Sequence, residues 1–333
     1  MRWLIGLILA AALGWSGYWF IGARAVENGL KGWFADRQAD GWVAEYGSLE
    51  THGFPNRFDT MAEDLILADP ESGLAWEAPM FQILALSYKP GHVIAAWPRT
   101  QVVATPQEKI TVTNDVMRGS VLFRPAQAFA LSRATFELEN LALSSTAGWT
   151  AATDSGEFAI REAAGRANTY DLFFEARNVK PASDILARMD PLKRLPDAFE
   201  TLKIDATMAF DAPWDRYAIE EARPQPRRLE LGTVQAAWGD LDLRLAGTLD
   251  IDSAGIPEGR ITIRATNWRE MLEIAVQSGL LPEPYAEPLE RGLAAIAGLS
   301  GNSQTIDAPI TFKGGRMMLG FVPLGPAPVL RLR

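Results

Sequence analysis

Two hydrophobic patterns divide the chain. From Trp3 to Ile21 (WLIGLILAAALGWSGYWFI) no charged residue occurs, and at about 1.5 Å per residue this run can cross a hydrocarbon core of roughly 30 Å as one helix. Beyond residue 41 the apolar runs are short and broken by Gly, Pro, Asn and Asp. Strands are expected at Asp64 to Ala68, Gly73 to Ala78, Phe81 to Tyr88, His92 to Ala96, Thr100 to Ala104, Lys109 to Thr113 and Gly119 to Phe123, then at Arg133 to Leu143, Gly156 to Arg161 and Thr169 to Arg177. Strands spaced this way without amphipathic helices between them predict an antiparallel sheet rather than βαβ units.

The alternation is clearest in the second half. Leu241, Leu243, Leu245, Leu249 and Ile251 occupy odd positions, while Asp240, Asp242, Arg244, Thr248, Asp250 and Asp252 occupy even ones. A period of two puts every apolar side chain on one sheet face. Ile261 and Ile263 continue the alternation, so Arg228 to Asn267 reads as a three-stranded meander with one apolar face. Ile204, Met208 and Phe210, in the run Leu202 to Phe210, extend the candidate face. Pro323, Pro326 and Pro328 near the C-terminus exclude a central strand and suit an extended edge segment.

Helical spacing returns in a few places. Val26, Leu30, Trp33 and Phe34 suggest a connector helix over Ala25 to Ala39, weakened by Gly29 and Gly32. Pro181 to Met189 and Arg269 to Gly279 each follow a strand ending in Ala-x-Asn (Ala176/Asn178; Ala265/Asn267), and each leads on to an Ile-Asp-Ala strand ending in Phe (Leu202 to Phe210; Gln304 to Phe312). This is an internal repeat of meander, helix and return strand. Met271, Leu272, Ile274, Ala275 and Val276, with Leu289, Leu293 and Ile296, form apolar stripes. Such helices either cover the sheet face and complete a core, or cover it in part and leave a trough for an acyl chain.

Two readings of the N-terminal run compete. Ala23-Arg24-Ala25 would serve as a small-x-small cleavage site of a secretory signal. The length of the apolar run, and Trp15, Tyr18, Trp19 and Phe20 clustered at its far end like an interfacial belt, favour an uncleaved anchor that also includes Trp3. Arg2 and the α-amino group ahead of it favour a cytoplasmic N-terminus, which places the body outside the cytoplasm.

Composition narrows the chemistry. With 48% hydrophobic residues, 11 Trp and 15 Phe, the chain can bury a substantial core. The net charge of −9, without a basic run, carries no nucleic-acid footprint. Cysteine is absent, which removes disulfides, thiolate nucleophiles and Cys-bound zinc. The two histidines, His52 and His92, have no partner at informative spacing, and turn positions account for them. Asp205, Asp211 and Asp215, like Asp250 and Asp252, read as a solvated sheet face rather than a cation site.

The N-terminal span, Gly53-Phe54-Pro55-x-Arg57-Phe58, the Gly-x-Leu-x-Ile-Asp-x-x-Gly-x-Pro-x-Gly stretch from Gly247 to Gly259, Asn267-Trp268-Arg269 and the closing Gly-Pro-Ala-Pro together resemble the uncharacterised bacterial DUF2125 family over nearly the whole chain. The resemblance implies no catalytic residue. At the level of fold alone, an anchored β body with one apolar face is similar to the AsmA-type envelope proteins, whose β-grooves are implicated in moving or shielding lipids, although this chain is much shorter than their long members.

The expected fold is mainly β with a few helices (β-rich α+β): a large curved antiparallel sheet with helical crossovers, preceded by one transmembrane helix. The expected parts are residues 1–24 as anchor or signal, 25–40 as connector, 41–180 as a β-rich first half and 181–333 as a second half of meander and helical crossover. The expected role is a non-enzymatic, inner-membrane-anchored periplasmic protein that binds or shields lipid in envelope maintenance, with membrane lipid and the cytoplasmic membrane as partners and no cofactor, metal or nucleic acid. The alternative is a scaffold or interaction module of the envelope with a sealed core.

Overall fold

A computed structural model describes residues 1–299 and 302–332. Among the described residues the chain is mainly β, with eighteen strands in a large antiparallel sheet, a few helices and one long N-terminal apolar helix. It divides into two compact units, residues 1–123 with 136–148, and residues 124–135 with 149–333.

In the first unit, α1 (Arg2–Ala39) is a single helix of 38 residues. Gly29 and Gly32 do not break it, because neither faces a neighbour that would require a bend, and helical glycine costs only about 1 kcal/mol relative to alanine. Its last turn is held by Phe34, which is buried with Ala44, Leu65 and Ala78 and meets the Tyr46 ring at 4.8 Å. Asp40 and then Gly41, with φ of +89°, end the helix.

The strands that follow are β1 (Val43–Glu45), β2 (Ser48–His52), β3 (Arg57–Asp69), β4 (Leu74–Leu86), β5 (Lys89–Ala96), β6 (Thr100–Ala104), β7 (Lys109–Thr113), β8 (Val116–Arg124) and β9 (Ala130–Ser145), of which residues 124 and 130–135 belong to the second unit. Long β3 pairs with β2 over its first half, with β1 over its second, and with β4 along its whole length. At β4 the ladder forks: one end pairs with β5, which continues to β8, and the other with β6, which continues through β7 to β9. Along the apolar side of this unit Trp76, Phe81, Trp97 and Phe136 meet edge to face at centroid distances of 5.4, 5.3 and 5.7 Å.

In the second unit the order is β10 (Thr150–Glu162), β11 (Thr169–Val179), α2 (Ser183–Met189), β12 (Phe199–Phe210), α3 (Tyr217–Glu220), β13 (Pro226–Trp238), β14 (Leu241–Ile251), β15 (Pro257–Thr266), α4 (Trp268–Gln277), α5 (Glu283–Leu299), β16 (Thr305–Lys313), β17 (Arg316–Leu319) and β18 (Val322–Pro326). Each strand pairs antiparallel with the next one in sequence. The proline-bearing β18 pairs with β17, and the segment beyond it is tied down by Ala327 N to Gly315 O and Leu330 N to Gly255 O, both 2.8 Å.

The internal repeat has a structural counterpart. An asparagine in the left-handed region stands near the end of each of β11 and β15, Asn178 (φ 50°) one residue before the end of β11 and Asn267 (φ 56°) directly after β15, and each strand is followed by helix and then by a return strand that pairs back onto it. The copies differ in register, since Ala176 faces Leu202 but Ala265 faces Ile306. With Ile204 matched to Ile306 this is an even offset, which leaves the apolar residues on the same face. Gly247 and Gly259 also have a backbone reason. A Cβ at either, with φ of 153° and 140°, would lie 2.3 Å from Arg260 O or 2.4 Å from Thr248 O.

Candidate functional site

The first unit holds an apolar cavity of about 270 Å³ beneath the C-terminal part of α1. Its walls are Leu30, Trp33 and Phe34 from α1, Leu49 from β2, Thr60, Ala62, Leu65 and Leu67 from β3, and Trp76, Phe81 and Ile83 from β4. Strand alternation explains the set, because Thr60–Ile83 and Ala62–Phe81 are directly opposed pairs on one face of β3 and β4. Two polar groups of the wall are paired with protein partners. Thr60 is buried, and its hydroxyl sits 2.9 Å from that of Thr51; the Trp76 indole N–H donates to Gln101 Oε1 at 2.6 Å. A cavity walled almost wholly by apolar side chains offers water little and accepts hydrocarbon.

Above this cavity the apolar stretch of α1 meets the sheet through its aromatic residues. Trp15 Nε1 donates to Pro55 O (2.9 Å), Tyr18 Oη to Ser87 O (2.6 Å) and Trp19 Nε1 to Arg57 O (2.7 Å). Trp19 is buried with Ala23 and Phe58, whereas Phe20 stacks on Phe54 at 5.6 Å and stays exposed. Trp3, near the other end, is 93% exposed, and Leu4, Ile5, Leu7, Ile8, Leu9 and Leu13 are exposed by between 53% and 73%. The helix is long and apolar enough to cross a membrane.

In the second unit the predicted apolar face is continuous across β10 to β16. One row of directly opposed residues runs Phe158, Phe174, Ile204, Val234, Leu245, Ile263, Ala308, and the next runs Ile160, Leu172, Ala206, Leu231, Gly247, Ile261, Ile310. Its two ends differ. Toward β16, α4 and α5 lie on it: Trp268, Leu293, Ile296 and Ala297 are buried with Ala265, Ile306 and Ala308, and Leu243 and Ile263 pack against them. Leu249 and Ile261 belong to a further buried cluster with Phe312, against which Leu245 packs; Leu241 and Ile251 are also buried. Toward β10 the cover thins, with Met208 and Phe210 half-buried and Ile204 and Phe158 exposed at 41% and 40%.

The opposite face is charged and paired. Glu230 lies between Arg166 (2.8 Å) and Arg228 (2.8 Å), and Arg228 also reaches Asp250 at 2.6 Å. Hydrogen bonds from Arg166 first and Arg228 second hold the Glu230 carboxyl down at about 2. Asp242 is likewise lowered, chiefly by the Arg244 guanidinium. His52 is exposed beside Glu50 (3.1 Å), and His92 Nε2 lies 2.9 Å from Ser120 Oγ on the neighbouring strand. Among the described residues no group of three His, Asp or Glu side chains is placed to hold a metal ion.

The cavity was not legible as a site in the sequence, since its walls come from four separate elements and use the same residue types as any core. The nearest signal was the helical spacing of Leu30, Trp33 and Phe34.

These features define a β-rich protein with a single long apolar N-terminal helix, an apolar cavity beside that helix and a broad, partly covered apolar sheet face. The chain matches the DUF2125 family, described as an uncharacterized protein conserved in bacteria, over residues 19–328, and it belongs to that family. No curated protein and no solved structure matches it.

Proposed function

We propose that this is an inner-membrane-anchored protein whose body, in the periplasm, binds or shields lipid acyl chains as part of envelope maintenance, without catalysing a reaction. The observation that carries this reading is the cavity of about 270 Å³ walled by apolar side chains at the root of the apolar helix. Its volume is close to the lower end of the roughly 300–1,000 Å³ usual for small-ligand sites, enough for part of one acyl chain. The thinly covered face at Phe158 and Ile204 supplies a second, smaller apolar surface.

The test is photo-crosslinking of the full chain, reconstituted in vesicles, by a phospholipid with a photoactivatable group on its acyl chain. Adducts on peptides spanning Leu30–Phe34 or Thr60–Ile83 are expected; adducts restricted to Trp3–Ile21 would overturn the reading. The sealing of β14 to β16 by α4 and α5 favours a second reading, an envelope scaffold with a closed core, and that reading predicts no adduct on Leu30–Phe34 or Thr60–Ile83.

A further inference from the structure

We propose that the β2–β3 and β4–β5 turns are themselves inserted in the membrane, as a wedge in the leaflet where the apolar stretch of α1 ends. This rests on the reading of α1 as a membrane anchor and adds a lipid contact made by the β body. Trp15 and Tyr18 belong to the uncharged stretch Trp3 to Ile21, and their side chains are bonded to Pro55 and Ser87 in the two turns. Trp15 precedes Ile21 by six positions, which is about 9 Å along a helix. The turn that touches Trp15 therefore lies inside the end of the span.

Holding the turns clear of the bilayer does not work. Only Trp3 to Gly14, twelve residues, would then be left to cross, about 18 Å of helix against a core of about 30 Å.

The turns are built for such a place. Backbone carbonyls at membrane depth need partners within the protein, and those of Pro55, Arg57 and Ser87 each accept a hydrogen bond from an α1 aromatic side chain. Ser87 N in turn donates to Asn56 O (2.9 Å), tying the two turns together. Beside exposed Pro55 and Asn56, each turn points a large aromatic side chain outward: Phe54 is 52% exposed and Tyr88 55%, and Phe54 is continuous with exposed Phe20 through their stack. Exposed Arg57 and Lys89 directly follow the turns, where a long cationic side chain can reach phosphate headgroups. Trp and Tyr with one apolar and one polar end suit the same zone.

Because the chain has no cysteine, single Cys substitutions label it without background. The full-length protein, reconstituted in phosphatidylethanolamine–phosphatidylglycerol vesicles, carries an environment-sensitive fluorophore at Phe54→Cys, Tyr88→Cys, Leu9→Cys or Ser72→Cys, with quenching by lipids spin-labelled near the top of the acyl chain. Ser72 lies in the turn at the far end of β3, up to about 40 Å along the strand from Arg57. The labels at Phe54→Cys and Tyr88→Cys are expected to be quenched and blue-shifted relative to Ser72→Cys. Quenching at Leu9→Cys with both turn labels behaving like Ser72→Cys would overturn the wedge and leave the anchor standing. No quenching at Leu9→Cys would overturn the anchor and the wedge together. Tyr88→Cys leaves the Phe54–Phe20 stack in place, so its result stands even if Phe54→Cys perturbs folding.

Discussion

Ala62→Leu separates a ligand cavity from a packing flaw. Ala62 is buried at 6% exposure on the wall of the 270 Å³ cavity, so the larger side chain extends into open space instead of a filled core. Three added carbons at about 0.8 kcal/mol each give a transfer gain of about 2 kcal/mol. Fitting a branched side chain beside Phe81 and Leu49, its cross-strand neighbours, costs about 1 kcal/mol in rotamer strain. The net expectation is a gain of about 1 kcal/mol in the delipidated protein, read as a higher midpoint in urea at unchanged slope. In the same protein, binding of a fluorescent fatty-acyl probe is expected to fall, because the side chain takes up space the acyl chain needs. Destabilisation by more than about 1 kcal/mol would show that the cavity is too small for the added carbons. A stabilised variant with undiminished probe binding would refute the cavity as the acyl site.

Other perturbations address the frame around it. Trp19→Phe keeps most of the packing with Phe58 but leaves Arg57 O without its donor, and a loss of about 1–2 kcal/mol in unfolding free energy is expected by chemical denaturation. Gly247→Ala places a Cβ 2.3 Å from Arg260 O at a φ of 153°; a loss of at least about 3 kcal/mol, or failure of the second unit to fold, is expected by circular dichroism. Glu230 is held down at about 2 against an ordinary 4.5, so its ion pairs stabilise the fold above about pH 4.5 and the benefit is lost as pH falls toward 2. After solvent screening this amounts to about 1 kcal/mol in full; because roughly two-fifths of it survives at pH 3, Glu230→Gln is expected to remove about 0.6 kcal/mol of the stability difference between pH 6 and pH 3 in denaturant titrations at the two pH values.

Much of the fold was legible because alternation is a local signal. The odd-numbered leucines of β14 and the isoleucines of β15 announce their face directly, and their pairing keeps them in register across the sheet. Gly29 and Gly32 suggested a weak connector after the anchor. In the fold, packing of Phe34 against Ala44 and Leu65 carries α1 without interruption to Ala39, an instance of tertiary contact overriding propensity. The site was less legible. Trp15, Tyr18 and Trp19 look alike whether their polar atoms meet lipid headgroups or backbone carbonyls, and only the folded positions of Pro55, Arg57 and Ser87 show the carbonyls to be the partners. The open and covered parts of the apolar face carry the same residue types, so periodicity alone did not separate Ile204 from Ile261.

Mass spectrometry of lipid retained by the full chain after gentle extraction, beside the same measurement on Ala62→Leu, tests lipid binding most directly. The expected result is phospholipid or another acylated lipid bound to the native chain and depleted in the variant. A native chain that carries no lipid, or carries it equally after the cavity is filled, would contradict the assignment of the cavity as a lipid site.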